Sequence, residues 1–135
     1  MIVLDTSALV AALRREDEAD AFLRIIAETD RCPLSAVSLL ETSMVLAGKV
    51  GDESAWRGLD DLIETAAIEI VPQDADQERI ARDAFLRFGK GRHPAGLNFG
   101  DCASYALARA HDAPLLFKGE DFPHTDIMSA QLRSE

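Results

Sequence analysis

The sequence predicts an α/β fold in which a mainly parallel sheet is covered by helices on both faces. Short aliphatic and β-branched runs, too brief for helices, recur at residues 2–4, 32–36, 68–71 and 114–117. Amphipathic helical stretches separate them. No linker, repeat or low-complexity segment divides the 135 residues, so a single domain spanning 1–135 is expected.

The elements follow in order. The opening Met-Ile-Val-Leu-Asp-Thr-Ser-Ala-Leu-Val puts a buried strand at 2–4, then Asp5 and two hydroxyl residues of the kind that start helices. Leu9, Val10 and Leu13 fall at helical spacing over 6–15, and Ala21, Phe22, Ile25 and Ile26 over 17–28. Pro33 discourages helix, which leaves 32–36 as a strand. Ser38 is expected to open a helix over 38–49, ended near Gly48 and Gly51, and 53–67 places Trp56, Leu59 and Ile63 on one helical face. A strand at 68–71 closes at Pro72, and a helix over 74–88 runs into a loop, 89–96, containing Gly, Pro and basic residues. The remainder reads as a helix over 100–110, a strand over 114–117 and a last short strand beginning at Ile127.

Composition narrows the function. With 47% hydrophobic and 28% charged residues the chain is ordinary for a soluble protein, and with only six Phe, one Tyr and one Trp its core must be aliphatic. It lacks a basic stretch leading into an apolar segment at the N-terminus, and no apolar run approaches the roughly 18–20 residues that cross a bilayer, so no membrane association and a cytoplasmic location are expected. Cys32 and Cys102 form neither a disulfide framework nor a Cys-x-x-Cys pair and should be free thiols. The net charge of −10 argues against broad affinity for polyphosphates. That charge is uneven. Residues 52–78 carry nine acids against Arg57, whereas 79–93 carry Arg79, Arg82, Arg87, Lys90 and Arg92 against Asp83. The second stretch is either a solvated basic face or a surface that meets an anion.

Four carboxylates sit at strand edges or on apolar helix stripes. Asp5 ends the first strand, where it either caps the following helix or binds a cation at the carboxyl edge of the sheet. Glu41 completes Ser38-Leu39-Leu40-Glu41, a capping-box pattern, but it also shares a stripe with Val37 and Val45, where a carboxylate needs a partner. Asp101 lies between Leu97 and Tyr105 near a helix start, and Asp121 follows the fourth strand in Lys118-Gly119-Glu120-Asp121-Phe122. Acids from separate elements at one sheet edge suit a hard divalent cation, which also relieves their mutual repulsion. His93, His111 and His124 show no zinc spacing. A P-loop, a dinucleotide fingerprint and a Gly-x-Ser-x-Gly elbow are all absent, and the acids do not follow the layout of a phosphoryl-accepting domain.

These blocks resemble the PIN-domain family and, more narrowly, the VapC-type toxins of type II toxin–antitoxin modules. The resemblance rests on Ile2-Val-Leu-Asp5-Thr-Ser-Ala-Leu-Val, Leu34-Ser-Ala-Val-Ser-Leu-Leu-Glu41, Asn98-Phe-Gly-Asp101-Cys-Ala-Ser-Tyr-Ala-Leu-Ala and Leu115-Leu-Phe-Lys-Gly-Glu-Asp121-Phe followed by Thr125-Asp126-Ile. It implies a PIN-like three-layer α/β/α sandwich and a Mg²⁺-dependent endoribonuclease, with Mn²⁺ as a possible substitute. Asp5, Glu41, Asp101 and Asp121 are then the catalytic and metal-binding acids, supported by a hydroxyl of Ser7 or Thr6. Many relatives carry the last acid two residues earlier, where this chain has Gly119. Glu120 and Asp126 are therefore competitors of Asp121. Arg79, Arg82, Arg87, Lys90 and Arg92 are candidate RNA contacts, and Arg14, Arg15 and Lys118 are others. The resemblance further implies a VapB-type antitoxin and a homodimer, for which apolar residues between 17 and 44, including Phe22, Ile26, Leu39, Leu40 and Met44, are available. The alternative is a non-catalytic PIN-like scaffold acting through protein contacts.

Overall fold

The computed structural model describes residues 1–131. Strands β1 (Val3–Leu4), β2 (Pro33–Ser35), β3 (Glu69–Val71) and β4 (Leu115–Leu116) form one parallel sheet in the order β3-β2-β1-β4. Parallel neighbours need long crossovers, and helices supply them. They are α1 (Thr6–Leu13), α2 (Ala19–Glu28), α3 (Ala36–Val50), α4 (Arg57–Thr65), α5 (Ala75–Phe88) and α6 (Phe99–Ala110).

Alternation along the strands divides the interior into two cores. Leu4, Leu34 and Leu116 pack with Leu9 of α1, Phe22 and Ile26 of α2, Leu46 of α3 and Leu59 of α4. Val3 and Leu115 face the other way, onto Ala84 of α5 and Cys102, Tyr105 and Leu107 of α6. The result is the expected three-layer α/β/α sandwich. Cys32 and Cys102 are buried free thiols. No helix among the described residues is long and apolar enough to cross a membrane.

Several boundaries differ from expectation, and the first helix ends at Leu13 rather than 15. The second helix starts at Ala19 rather than 17, because Arg15 takes a positive φ of 56° and turns the chain between α1 and α2. Residues 53–67 are not one helix: Asp52 caps a 3₁₀ turn, Glu53–Trp56, that feeds α4. Helix α3 starts at Ala36, since the Ser35 hydroxyl accepts the Val37 amide at 3.2 Å and caps it two residues before the expected start. The last strand is reduced to a single bridge between Leu115 and Ser129, where the chain runs once along the outer edge of β4. Residues 132–135 of the expected 1–135 domain lie outside the described residues.

Among the apolar residues expected to meet partners, Phe22 and Ile26 are core and Leu39 packs against it, whereas Leu40 and Met44 are 61% and 65% exposed. Leu34, fully buried on the inner strand β2, is a sensitive test of the first core. Leu34→Ala is expected to cost about 2–5 kcal/mol. Urea unfolding should show a lower midpoint with an unchanged slope.

Candidate active site

Asp5 stands at the end of β1, beside the fully buried Leu4, and its own residue is only 2% exposed. Its side chain caps α1: Oδ2 accepts the Ser7 amide at 3.0 Å and the Ser7 hydroxyl at 2.6 Å. Oδ1 is buried without a hydrogen bond of good geometry, with the Ser104 hydroxyl standing near the carboxylate. Such an atom marks a place where a cation or water is wanted. Burial raises the Asp5 pKa, and the Ser104 and Ser7 hydroxyls, which favour the charged form, offset this only in part. Ser7 is itself held, because its Oγ accepts the Lys118 amide at 2.9 Å. The ends of β1 and β4 are thereby tied together at the site.

Asp101 occupies the first turn of α6. There it forms a reciprocal capping box with Asn98, whose Oδ1 accepts the Asp101 amide at 2.9 Å while Asp101 Oδ2 accepts the Asn98 amide at 3.1 Å. The Asp101 pKa is pushed up to about 7, first by burial and then by the negative charges of Asp5 and Asp121. Three of the four acids therefore share one electrostatic environment. The fourth, Glu41, reaches the same place from α3. A Cβ added at Gly100 would fall on the Glu41 carboxylate, so glycine at 100 is what lets that side chain lie against the start of α6. Because Ser35 caps α3, Ser38 stands inside the helix, and its buried hydroxyl bonds Ser104 of α6 at 3.0 Å. The capping-box alternative for Glu41 falls with that.

Asp5, Thr6, Ser7, Glu16, Glu41, Asn98, Asp101, Lys118 and Gly119 line a cleft of about 460 Å³ together with Val10 and Val45. A larger cavity of about 600 Å³ lies beside Phe85, Leu86, Phe99 and Cys102, but it is apolar and lacks the clustered acids. Asp121, exposed at the start of a short 3₁₀ turn, stands near Asp101. Asp126 is otherwise engaged: its carboxylate accepts the Tyr105 hydroxyl at 2.6 Å and Arg87 at 3.2 Å. Among the described residues no group of three or more His, Cys, Asp or Glu side chains is drawn together closely enough to hold a metal ion. The donor set is instead an open group of hard oxygens, which suits a cation that keeps several waters.

The remaining expected residues separate. The Thr6 hydroxyl donates to the Ser38 carbonyl at 3.1 Å, fastening α1 to α3. Arg79, Arg82 and Arg87 lie on α5, paired with Asp76, Glu78 and Asp83 of the same helix, and Lys90 and Arg92 lie in the following loop. None of the five lines the cleft. Arg14 donates to the Val45 carbonyl and Arg15 pairs with Asp20. Gly100, Ser104 and Glu16 were not anticipated. Asn98 was readable, since Asn-x-x-Asp ahead of an apolar helix is a capping signal.

Comparison with known proteins matches a family model described as PIN domain to residues 2–128. Ribonuclease VapC30 of Mycobacterium tuberculosis is 49% identical over 132 residues, covering 97% of this chain and 99% of that protein. Among solved structures, the sarcin–ricin-loop-cleaving toxin VapC20 of M. tuberculosis superposes with a TM-score of 0.77 at 20% identity, covering 96% of this chain and 98% of that one. VapBC2 from Rickettsia felis, solved bound to a promoter DNA fragment, gives 0.75 at 18% identity, with 96% of each chain covered. At those identities the structures speak to the fold.

The raised Asp101 pKa has a definite sign. Between the ordinary value of 3.8 and about 7, the folded metal-free protein holds a proton that the unfolded chain has lost. Stability should therefore fall as pH rises through that window and stay low above it. Asp5→Asn removes one of the charges responsible, so carboxyl NMR should find Asp101 titrating at lower pH in that variant, and urea unfolding should show a shallower pH dependence.

Proposed function

The chain belongs to the PIN-domain family, and from that membership we propose that Asp5, Glu41, Asp101 and Asp121 form the metal-dependent catalytic centre of a toxin endoribonuclease. Its reaction is the hydrolysis of RNA phosphodiester bonds, in keeping with the VapC ribonuclease to which it is 49% identical. A divalent metal is the cofactor, with Mg²⁺ proposed as the physiological ion and Mn²⁺ as a substitute. The observation that carries the assignment is the buried, unpartnered Oδ1 of Asp5 beside an Asp101 whose proton affinity is raised by burial and by Asp5 and Asp121. A cation relieves both strains.

Asp5 and Asp101 are the primary ligands, with Glu41 and Asp121 binding directly or through water. When bound, the ion lowers the pKa of the attacking water, orients the scissile phosphate and neutralises charge developing on it. The chain's own residues prepare this. Ser7 fixes Asp5 through Oδ2, and Asn98 fixes Asp101 through Oδ2, so neither carboxylate needs to reorganise. In this reading Glu41 or Asp121 also takes the proton from water. Arg79, Arg82, Arg87, Lys90 and Arg92 form an outer track for the RNA backbone.

An antitoxin partner goes with this function, and its proposed seat is the ridge of α3. There the exposed Leu40 and Met44 stand four residues apart, next to Glu41 and Val45, which line the cleft. A VapB-type segment on that ridge covers the acids. The exposed Phe85, Leu86 and Phe99 are the proposed homodimer contact. The protein is proposed to act in the cytoplasm as a single PIN-like domain.

Asp5→Asn and Asp101→Asn should each reduce Mg²⁺-dependent cleavage of RNA by at least about a hundredfold, with circular dichroism unchanged. Cleavage at the wild-type rate in either purified variant removes that residue from the centre.

A further inference from the structure

Lys118 is the only cationic side chain lining the acidic cleft among the described residues. Its root is fixed: the Lys118 amide donates to Ser7 Oγ, which in turn donates to Asp5 Oδ2, so the backbone lies two hydrogen bonds from a proposed metal ligand. Its ammonium is held at the rim, 2.5 Å from Glu16 and 3.2 Å from Glu18, in the turn between α1 and α2. Those hydrogen bonds keep Lys118 protonated by raising its pKa. Glu16 lines the cleft as well, beside Asp5, Glu41 and Asp101, three of the four acids assigned to the metal. The three side chains are each about a third exposed, with Glu18 Oε1 itself buried, and ion pairs this near the surface bind weakly and exchange readily.

We propose that Lys118 is a substrate-positioning residue whose ammonium leaves Glu16 and Glu18 to bind an RNA phosphate beside the metal centre. The inference rests on the ribonuclease reading. An RNA strand entering this cleft meets Asp5, Glu16, Glu41 and Asp101, and Lys118 is the one lining side chain that attracts it. Glu16 and Glu18 act as the competing anions: they keep the lysine over the cleft rather than in solvent, and the phosphate displaces them. The exchange makes and breaks only ion pairs.

The distinguishing test is a difference of sign. A pair that serves only the fold responds alike to loss of either partner, whereas a phosphate contact with an internal competitor responds oppositely. Binding of a fluorescent single-stranded RNA is measured by anisotropy in EDTA over a salt series, and KM is measured in Mg²⁺. Lys118→Gln should weaken binding and raise KM roughly tenfold, and it should flatten the dependence of log affinity on log salt by about 0.7, the value for one phosphate on a single strand. Lys118→Arg should keep the wild-type slope. Glu16→Gln combined with Glu18→Gln should tighten binding. The proposal is overturned by an unchanged slope in Lys118→Gln, by an equal loss of slope in Lys118→Arg, or by weaker binding in the double glutamine variant. Wild-type protein that binds RNA through Lys118 but does not cleave it removes the ribonuclease reading and leaves the contact standing. Cleavage with Lys118-independent binding overturns the contact alone.

Discussion

The structure depends on one buried carboxylate at the end of its central parallel strand. Asp5 is held by the amide and hydroxyl of Ser7, and Ser7 in turn receives the Lys118 amide, so a single chain of hydrogen bonds sets the start of α1 and the exit of β4. Burying an ion without a full set of partners is costly. Here the cost falls where strand ends and helix starts converge, which is where parallel α/β sheets place their ligands. The unsatisfied oxygen of Asp5 stands at that same edge.

A second constraint brings the other acids to that point. Helices α3 and α6 pack on opposite faces of the sheet, yet they meet beyond its edge through the buried pair Ser38 and Ser104. The Ser38 carbonyl also accepts hydroxyls from Thr6 and Thr42. This polar seam joins α1, which Asp5 caps, to α3 and α6, which carry Glu41 and Asp101. Close approach then depends on Gly100, because any side chain there would occupy the space of the Glu41 carboxylate. Rigid support of this kind is what a site needs if its charges are to be in place before substrate arrives.

Much of this was legible in the sequence, and what was not has a common cause. Strand positions and helix faces follow from local periodicity, and the order of strands and helices follows from their alternation, so the layers could be read directly, as could the placing of Asp5 at the end of the first strand and of Glu41 and Asp101 on the third and sixth helices. Local signals misplaced the start of α3, because Ser35 and Ser38 are both plausible caps and only tertiary packing chooses. Ser38 goes to Ser104, 66 residues away, and Lys118 to Glu16, 102 residues away; no window of sequence holds either pair. The competition among Glu120, Asp121 and Asp126 was likewise unresolvable locally. It narrows once Tyr105 and Arg87 are seen to engage Asp126.

Helix capping and metal binding also cease to be rival explanations for the same acids. A carboxylate has two oxygens, and a cap needs one. Asp5 uses Oδ2 on Ser7, and Asp101 uses Oδ2 on Asn98. The capping bond fixes the plane and position of each carboxylate at a helix N-terminus, where the helix dipole also favours negative charge. Capping thus opposes the repulsion that burial and crowding impose on these acids, and it does so without occupying the second oxygen. In Asp5 that oxygen is left buried and unpartnered, so the bond that starts the helix leaves an oxygen available to the proposed cation.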